Sequence, residues 1–188
     1  MQYLKQNVRE RILEAAEQEF DQNGFQDASM STIADSAGVS LGNVYRYFTN
    51  KQALFCAVAE PIIDEIGLKI DILFATSNDL SEAADGMADY FYQNPDKLTV
   101  VRQCVNSDIG ALRDMVTEMA AKAVKSCFDG CFGLRQKVKN PDFDKAVANS
   151  FIFALASLSH CKNQKETKKQ YVRELVAFFF EKIDQRFV

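Results

Sequence analysis

Apolar residues recur along this chain at steps of three and four, and seldom at the step of two that a half-buried strand would show. Val8, Ile12, Ala16 and Phe20 stand four apart, with Leu13 widening their face, as on one side of an α-helix. Asn23-Gly24 ends that pattern, because glycine takes the left-handed conformation that closes helices cheaply. Phe25 can then fold back on the core. Ser29 has the hydroxyl of an N-cap and opens a short helix to about Ala37. Gly38 breaks it, and Ser40 caps a third helix through Tyr47. Thr49 or Asn50 caps a fourth, from Lys51 to about Ala75, with Pro61 expected as a kink or break because it supplies no amide hydrogen. Further helices are expected at about 80–93, 95–106, 108–132, 142–161 and 164–187, the segment GLRQKVKNPD being a polar connection. On the last helix Val172, Leu175, Val176, Phe179, Ile183 and Phe187 form a stripe that Phe178 and Phe180 widen, a face that needs more than one neighbour.

Composition agrees with an all-α chain and narrows its setting. Of 188 residues 47% are hydrophobic, with only 8 Gly and 3 Pro, enough apolar surface for a small domain joined to a larger one. No run of about 18 apolar residues is present, and charges stand where a signal peptide would carry its apolar stretch, so a cytoplasmic location is expected. Cys56, Cys104, Cys127, Cys131 and Cys161 share no repeated spacing. Together with the single His160 they resemble no structural metal pattern, and core packing explains them better than a metal or redox site. The net charge is −4, and the first 51 residues carry five basic against seven acidic side chains. Any nucleic-acid contact therefore has to come from a locally organised surface rather than from overall charge.

Ser31 to Lys51, STIADSAGVSLGNVYRYFTNK, has the makings of such a surface. Two short helices joined by a tight turn need a small residue at their crossing, here Ala34, and a glycine in the turn four positions on, here Gly38. Ile33, Ala37, Val39 and Val44 sit where the two helices must pack on each other and on the first helix. Ser29, Ser31 and Thr32 are small hydroxyl residues at a helix N-terminus, suited to phosphate oxygens.

The run I-A-x-x-A-G-V-S-x-G-x-V-Y-x-Y-F-x-x-K-x-x-L from Ile33 to Leu54, preceded by RILEAAEQEFDQNGF, closely resembles the signature of the TetR family of bacterial regulators. The resemblance in residues covers about 9–55; beyond that it lies in length, helical content and the paired last helices. It implies about nine helices: a three-helix DNA-binding domain over 1–50, and a helical effector-binding and dimerisation domain over 51–188. It also implies a homodimeric repressor that reads an inverted-repeat operator and is released by a small effector. The third helix would enter the major groove, placing Leu41, Gly42 and Asn43 at base edges with Ser40 as cap. Asn43 is the best hydrogen-bonding candidate, since its amide both donates and accepts. Tyr45, Tyr47 and Lys51 match phosphate-contacting positions, and Arg46 adds charge. A dimer through the last two helices would use Phe151, Leu155, Leu158, Val172, Leu175, Val176, Phe179 and Ile183. Many members carry a basic residue where Ser31 stands, which implies a weaker non-specific electrostatic contribution here.

Phe74, Tyr90, Phe91, Met115, Met119, Phe128 and Phe151 are candidates to line an apolar effector cavity. No cofactor is implied, and no phosphate loop, nucleotide-binding glycine motif or catalytic triad is legible. Two rival readings keep the helices but change the role. One is an adaptor whose N-terminal unit meets a protein, encouraged by the acidic balance; the other is a small helical enzyme.

Overall fold

The computed structural model describes residues 2–77, 79–131, 142–158 and 165–180. Among them are nine helices and no strand: α1 (Gln2–Asp27), α2 (Met30–Ser36), α3 (Leu41–Tyr47), α4 (Lys51–Thr76), α5 (Leu80–Gln93), α6 (Pro95–Asn106), α7 (Gly110–Cys131), α8 (Phe143–Leu158) and α9 (Lys165–Phe180). The chain is all-α.

In α1 the helical path is interrupted at Gly24 (φ 74, ψ 168), a backbone conformation only glycine holds cheaply. The bend returns Phe25 toward the core, where Phe20 and Phe25 meet Phe55 of α4 at ring-centroid distances of 4.9 and 5.0 Å. Leu54 and Phe55 are fully buried. The first turns of α4 thus complete the core of the N-terminal unit, and a boundary drawn at residue 50 cuts through a shared aromatic cluster.

Helix α4 continues through Pro61, so of the kink or break expected there the break is absent. Proline removes one donor, the one that would serve the Ala57 carbonyl, while Val58, Ala59, Ile63, Ile66 and Ile70 are all buried along the same helix. Packing on several sides outweighs the missing bond. In the larger unit α4 packs on α7, α7 on α8, α8 on α6 and α9, and α9 on α5. Val101, Leu112, Val116, Ile152 and Val176 are buried in its core. Ion pairs Lys169–Asp89 and Arg173–Asp85 line the α5–α9 seam, and Gln103 Nε2 donates to the Phe20 carbonyl at 3.0 Å, tying α6 to α1. No helix among the described residues is long and apolar enough to cross a membrane.

Candidate nucleic-acid interface

Three caps shape the N-terminal unit. Ser29 Oγ accepts from Thr32 N at 3.5 Å, Ser40 Oγ from Asn43 N at 3.2 Å, and Asn50 Oδ1 from Ala53 N at 2.8 Å. Each satisfies one of the amides that a helix start leaves without a partner. Between α2 and α3 the chain turns on Gly38, at φ 64, with Val39 N bonded to the Ala34 carbonyl at 3.0 Å. Ile33, Ala34, Ala37, Val44 and Phe48 are buried beneath the turn.

With Val44 fully buried as its anchor, α3 turns Leu41, Gly42, Tyr45 and Arg46 outward. Leu41 is 40% and Tyr45 47% exposed, large fractions for apolar and aromatic side chains. Gly42 and Arg46 are exposed and Asn43 half-buried, while Ser31, Thr32 and Ser40 stand exposed beside them. A Cβ added to Gly42 would meet nothing within 4 Å, so the small side chain there serves no contact within the chain. Tyr47 differs from Tyr45: it is half-buried and packs on the core.

Lys51 stands at the same end of the unit but is already engaged. Its Nζ donates to the carbonyls of Gln26 (2.8 Å) and Ala28 (3.0 Å) and lies 5.1 Å from the Phe25 ring centroid. It clasps the α1–α2 connection to α4, and two of its three donors are spent there. Three residues that sequence reasoning missed do comparable work. Arg11 Nη2 donates to the carbonyls of Ala37 and of Gly38, the latter at 3.1 Å, and so pins the turn to α1. Glu19, 8% exposed, accepts the Ser29 amide at 3.0 Å. Arg9 lies over the Phe48 ring at 5.4 Å. Their partners lie 10 to 39 residues distant and are mostly backbone groups, which no local spacing announces.

The cavity candidates separate. Phe74, Phe91, Met119 and Phe151 line an apolar cavity of about 40 Å³ with Ile66, Ile70 and Leu155. Met115 does not reach it and lines an open groove of about 840 Å³ on the α4–α7 face instead. Tyr90 is not among the residues lining it: its hydroxyl donates to Glu65 Oε1 at 3.3 Å and Lys97 Nζ lies 5.4 Å from its ring, in a polar cluster of α4, α5 and α6. The Phe128 side chain lies outside the described residues.

The proposed interface residues also divide. Phe151, Leu155, Val172 and Val176 are 7, 4, 2 and 1% exposed and point into the chain's own core, so none is open to a second copy. Leu175 and Phe179 are half-buried, and among the described residues of α8 and α9 the exposed large apolar side chains are Phe153 (50%) and Phe178 (68%). The Leu158 side chain and Ile183 lie outside the described residues, as do Cys161, His160 and the side chains of Cys127 and Cys131. Cys104 is fully buried, and desolvation pushes its thiol up to about 12. Burial, followed by the Glu60 charge, also raises the half-buried Cys56.

The N-terminal unit is similar in sequence to known proteins. Residues 12–58 fit the family model "Bacterial regulatory proteins, tetR family". The HTH-type transcriptional regulator UidR of Escherichia coli K12 is 45% identical over 58 residues, 31% of this chain and 30% of UidR. The HTH-type regulator YfiR of Bacillus subtilis is 30% identical over 92 residues, 45% of each chain. The chain thus spans less than half the length of these curated relatives. Solved structures extend the likeness of fold over nearly the whole chain. A TetR-family transcriptional regulator from Bordetella parapertussis is 17% identical with a TM-score of 0.65, over 93% of this chain and 95% of that one. The fatty acid degradation regulator FadR from Bacillus halodurans is 16% identical with a TM-score of 0.63, over 89% and 96%.

Proposed function

We propose that the chain, whose residues 12–58 fit the tetR family model and whose fold is similar to that of a TetR-family regulator, is a ligand-responsive transcriptional repressor of that family. Its relatives and fold are those of transcriptional regulators, not of enzymes. The observation that carries the proposal is α3: a two-turn helix anchored by buried Val44, capped by Ser40, offering Leu41, Gly42, Asn43, Tyr45 and Arg46 to the outside. Such a helix suits the major groove, with Asn43 reading a base edge and Leu41 meeting a thymine methyl. The hydroxyls of Ser31, Thr32 and Tyr45, with Arg46, face phosphates on either side.

Two copies bind the two halves of an inverted repeat and join through α8 and α9, where Phe153 and Phe178 are the open apolar side chains. A ligand in the larger unit shifts α4, and α4 carries that shift to the reading head through Lys51 and Phe55. The shift follows only if the ligand prefers the conformation that does not fit DNA. A mobility-shift assay with the promoter region beside its own coding sequence tests the reading. A specific shift at moderate salt, lost with Asn43→Ala, is expected; a wild-type protein that shifts no such fragment above random DNA refutes it.

A further inference from the structure

The N-terminal unit joins the larger one along α4, and a body carried on one helix is free to tilt about it. A second attachment removes that freedom. Beyond α4, α1 packs on α6. Val101, Cys104 and Val105 hold α6 in the core of the larger unit, and Gln103 reaches from it to the Phe20 carbonyl at 3.0 Å. Phe20 is thereby held from two sides: its ring, 2% exposed, meets Phe55 of α4 at 4.9 Å, and its carbonyl accepts from α6. Four residues on, α1 bends at Gly24, and past the bend Lys51 grips the Gln26 and Ala28 carbonyls. Any tilt of the unit about α4 changes the span from Phe20 to α6.

The bond across that span breaks at little cost. Gln103 Oε1 is buried, and no group of the described chain donates to it. Closing the span gains one neutral hydrogen bond and leaves one acceptor dry, and the second offsets much of the first. Such a bond adds little to overall stability and lets go when the unit is pulled, as a latch does and a strut does not.

We propose that Gln103 is a positioning residue that sets the half-site spacing this chain accepts on DNA. This rests on the DNA-binding reading above and adds what fixes the spacing. In a dimer each copy holds its reading helix at the angle of the closed latch. Moving one half-site by a base pair carries its groove about 3.4 Å along the duplex and roughly 35° around it. Both units must tilt to follow, and each tilt parts Gln103 from Phe20.

The test uses the full chain. It selects an operator from random-sequence duplexes, and that site is rebuilt with the spacer between its half-sites one and two base pairs longer and shorter. Affinities are measured for wild type, Gln103→Met and Gln103→Lys. Methionine matches glutamine in length and has no donor, so the ratio of affinities for the preferred and neighbouring spacings should fall about tenfold, about threefold for each of two latches. The fall should come chiefly from tighter binding of the off-spaced duplexes, with base preference inside each half-site unchanged. The thermal midpoint should stay within about 2 °C of wild type, because the bond is worth little on balance. Gln103→Lys still offers the carbonyl a donor and should keep the wild-type ratio. A ratio that Gln103→Met leaves unmoved or sharpens, or one lost equally in Gln103→Lys, overturns the proposal and leaves the DNA-binding reading standing. So does an affinity loss that is the same at every spacing. If wild type selects no sequence above random DNA, both fail.

Discussion

Replacing Gly38 by alanine probes how the turn beneath the reading helix is held. At φ 64 an L side chain costs about 1–2 kcal/mol. The new Cβ would also stand 2.8 Å from Arg11 Nη2, so the guanidinium must withdraw from the Ala37 and Gly38 carbonyls. Hydrogen bonds from a charged donor are worth about 1.5 kcal/mol or more each when shielded, and less at this partly exposed site. Gly38→Ala should therefore lose about 2–3 kcal/mol, of which the share due to Arg11 is about 1 kcal/mol. At about 2–4 °C per kcal/mol for a chain of this length, the midpoint falls by roughly 5–10 °C. Thermal and urea unfolding of wild type, Gly38→Ala, Arg11→Ala and the double variant, at equal protein concentration, separates the two parts. The double variant should be about 1 kcal/mol more stable than the sum of the single losses predicts, because with Arg11 gone the alanine meets only its backbone penalty. Losses that add within about 0.3 kcal/mol would refute a turn built around that guanidinium.

Other expectations follow from the same surfaces. Asn43→Ala should weaken operator binding by about 1–3 kcal/mol and relax base preference at one position per half-site, leaving dimerisation and thermal midpoint unchanged. Arg11 and Lys51 spend donors on carbonyls, and of the described basic side chains near α3 this leaves Arg9 and Arg46 for phosphate. The slope of log affinity against log salt for a dimer should then be about −4 at most, at roughly −0.9 per phosphate; a slope near −8 in a salt titration contradicts it. Phe178→Asp should leave helical circular dichroism intact while sedimentation shows monomer, whereas Val176→Asp, at a position 1% exposed, should abolish folding. Cys104 stays neutral in the fold up to about 12, while the unfolded chain gives up that proton near 9.0. The unfolded state is thus favoured progressively as pH rises above about 9, and Cys104→Ala should flatten that alkaline loss in urea titrations at stepped pH. An unchanged pH profile in that variant would tell against the buried thiol as its source.

What could be read from the sequence followed the range of the interactions concerned. Ser29, Ser40 and Asn50 act on amides three positions on, so α2, α3 and the start of α4 were legible from residue types alone. At Pro61 local propensity counts the missing donor but not the buried face of the same helix, which carries α4 past it. Helical spacing found the stripe Val172, Val176 and Phe179, yet periodicity marks an apolar face without saying whether the same chain or another covers it; α5 and α8 cover much of it here. Tyr90 was drawn to the cavity by its ring, when a carboxylate and an ammonium on neighbouring helices decide its place. Arg11, Glu19 and the clasp of Lys51 depend on carbonyls and amides brought near by folding, and nothing in their own neighbourhoods marks them.

On the proposed function, the clasp matters to anyone who would exchange the specificity of this chain with that of a relative. A chimera spliced between Asn50 and Lys51 keeps every base-facing residue, yet joins a foreign lysine, or none, to the Gln26 and Ala28 carbonyls and a foreign ring to Phe20 and Phe25. A splice beyond Ala59 transplants the reader with its own fastening. Swapped heads joined there should keep their native grip on DNA and still feel the recipient body move.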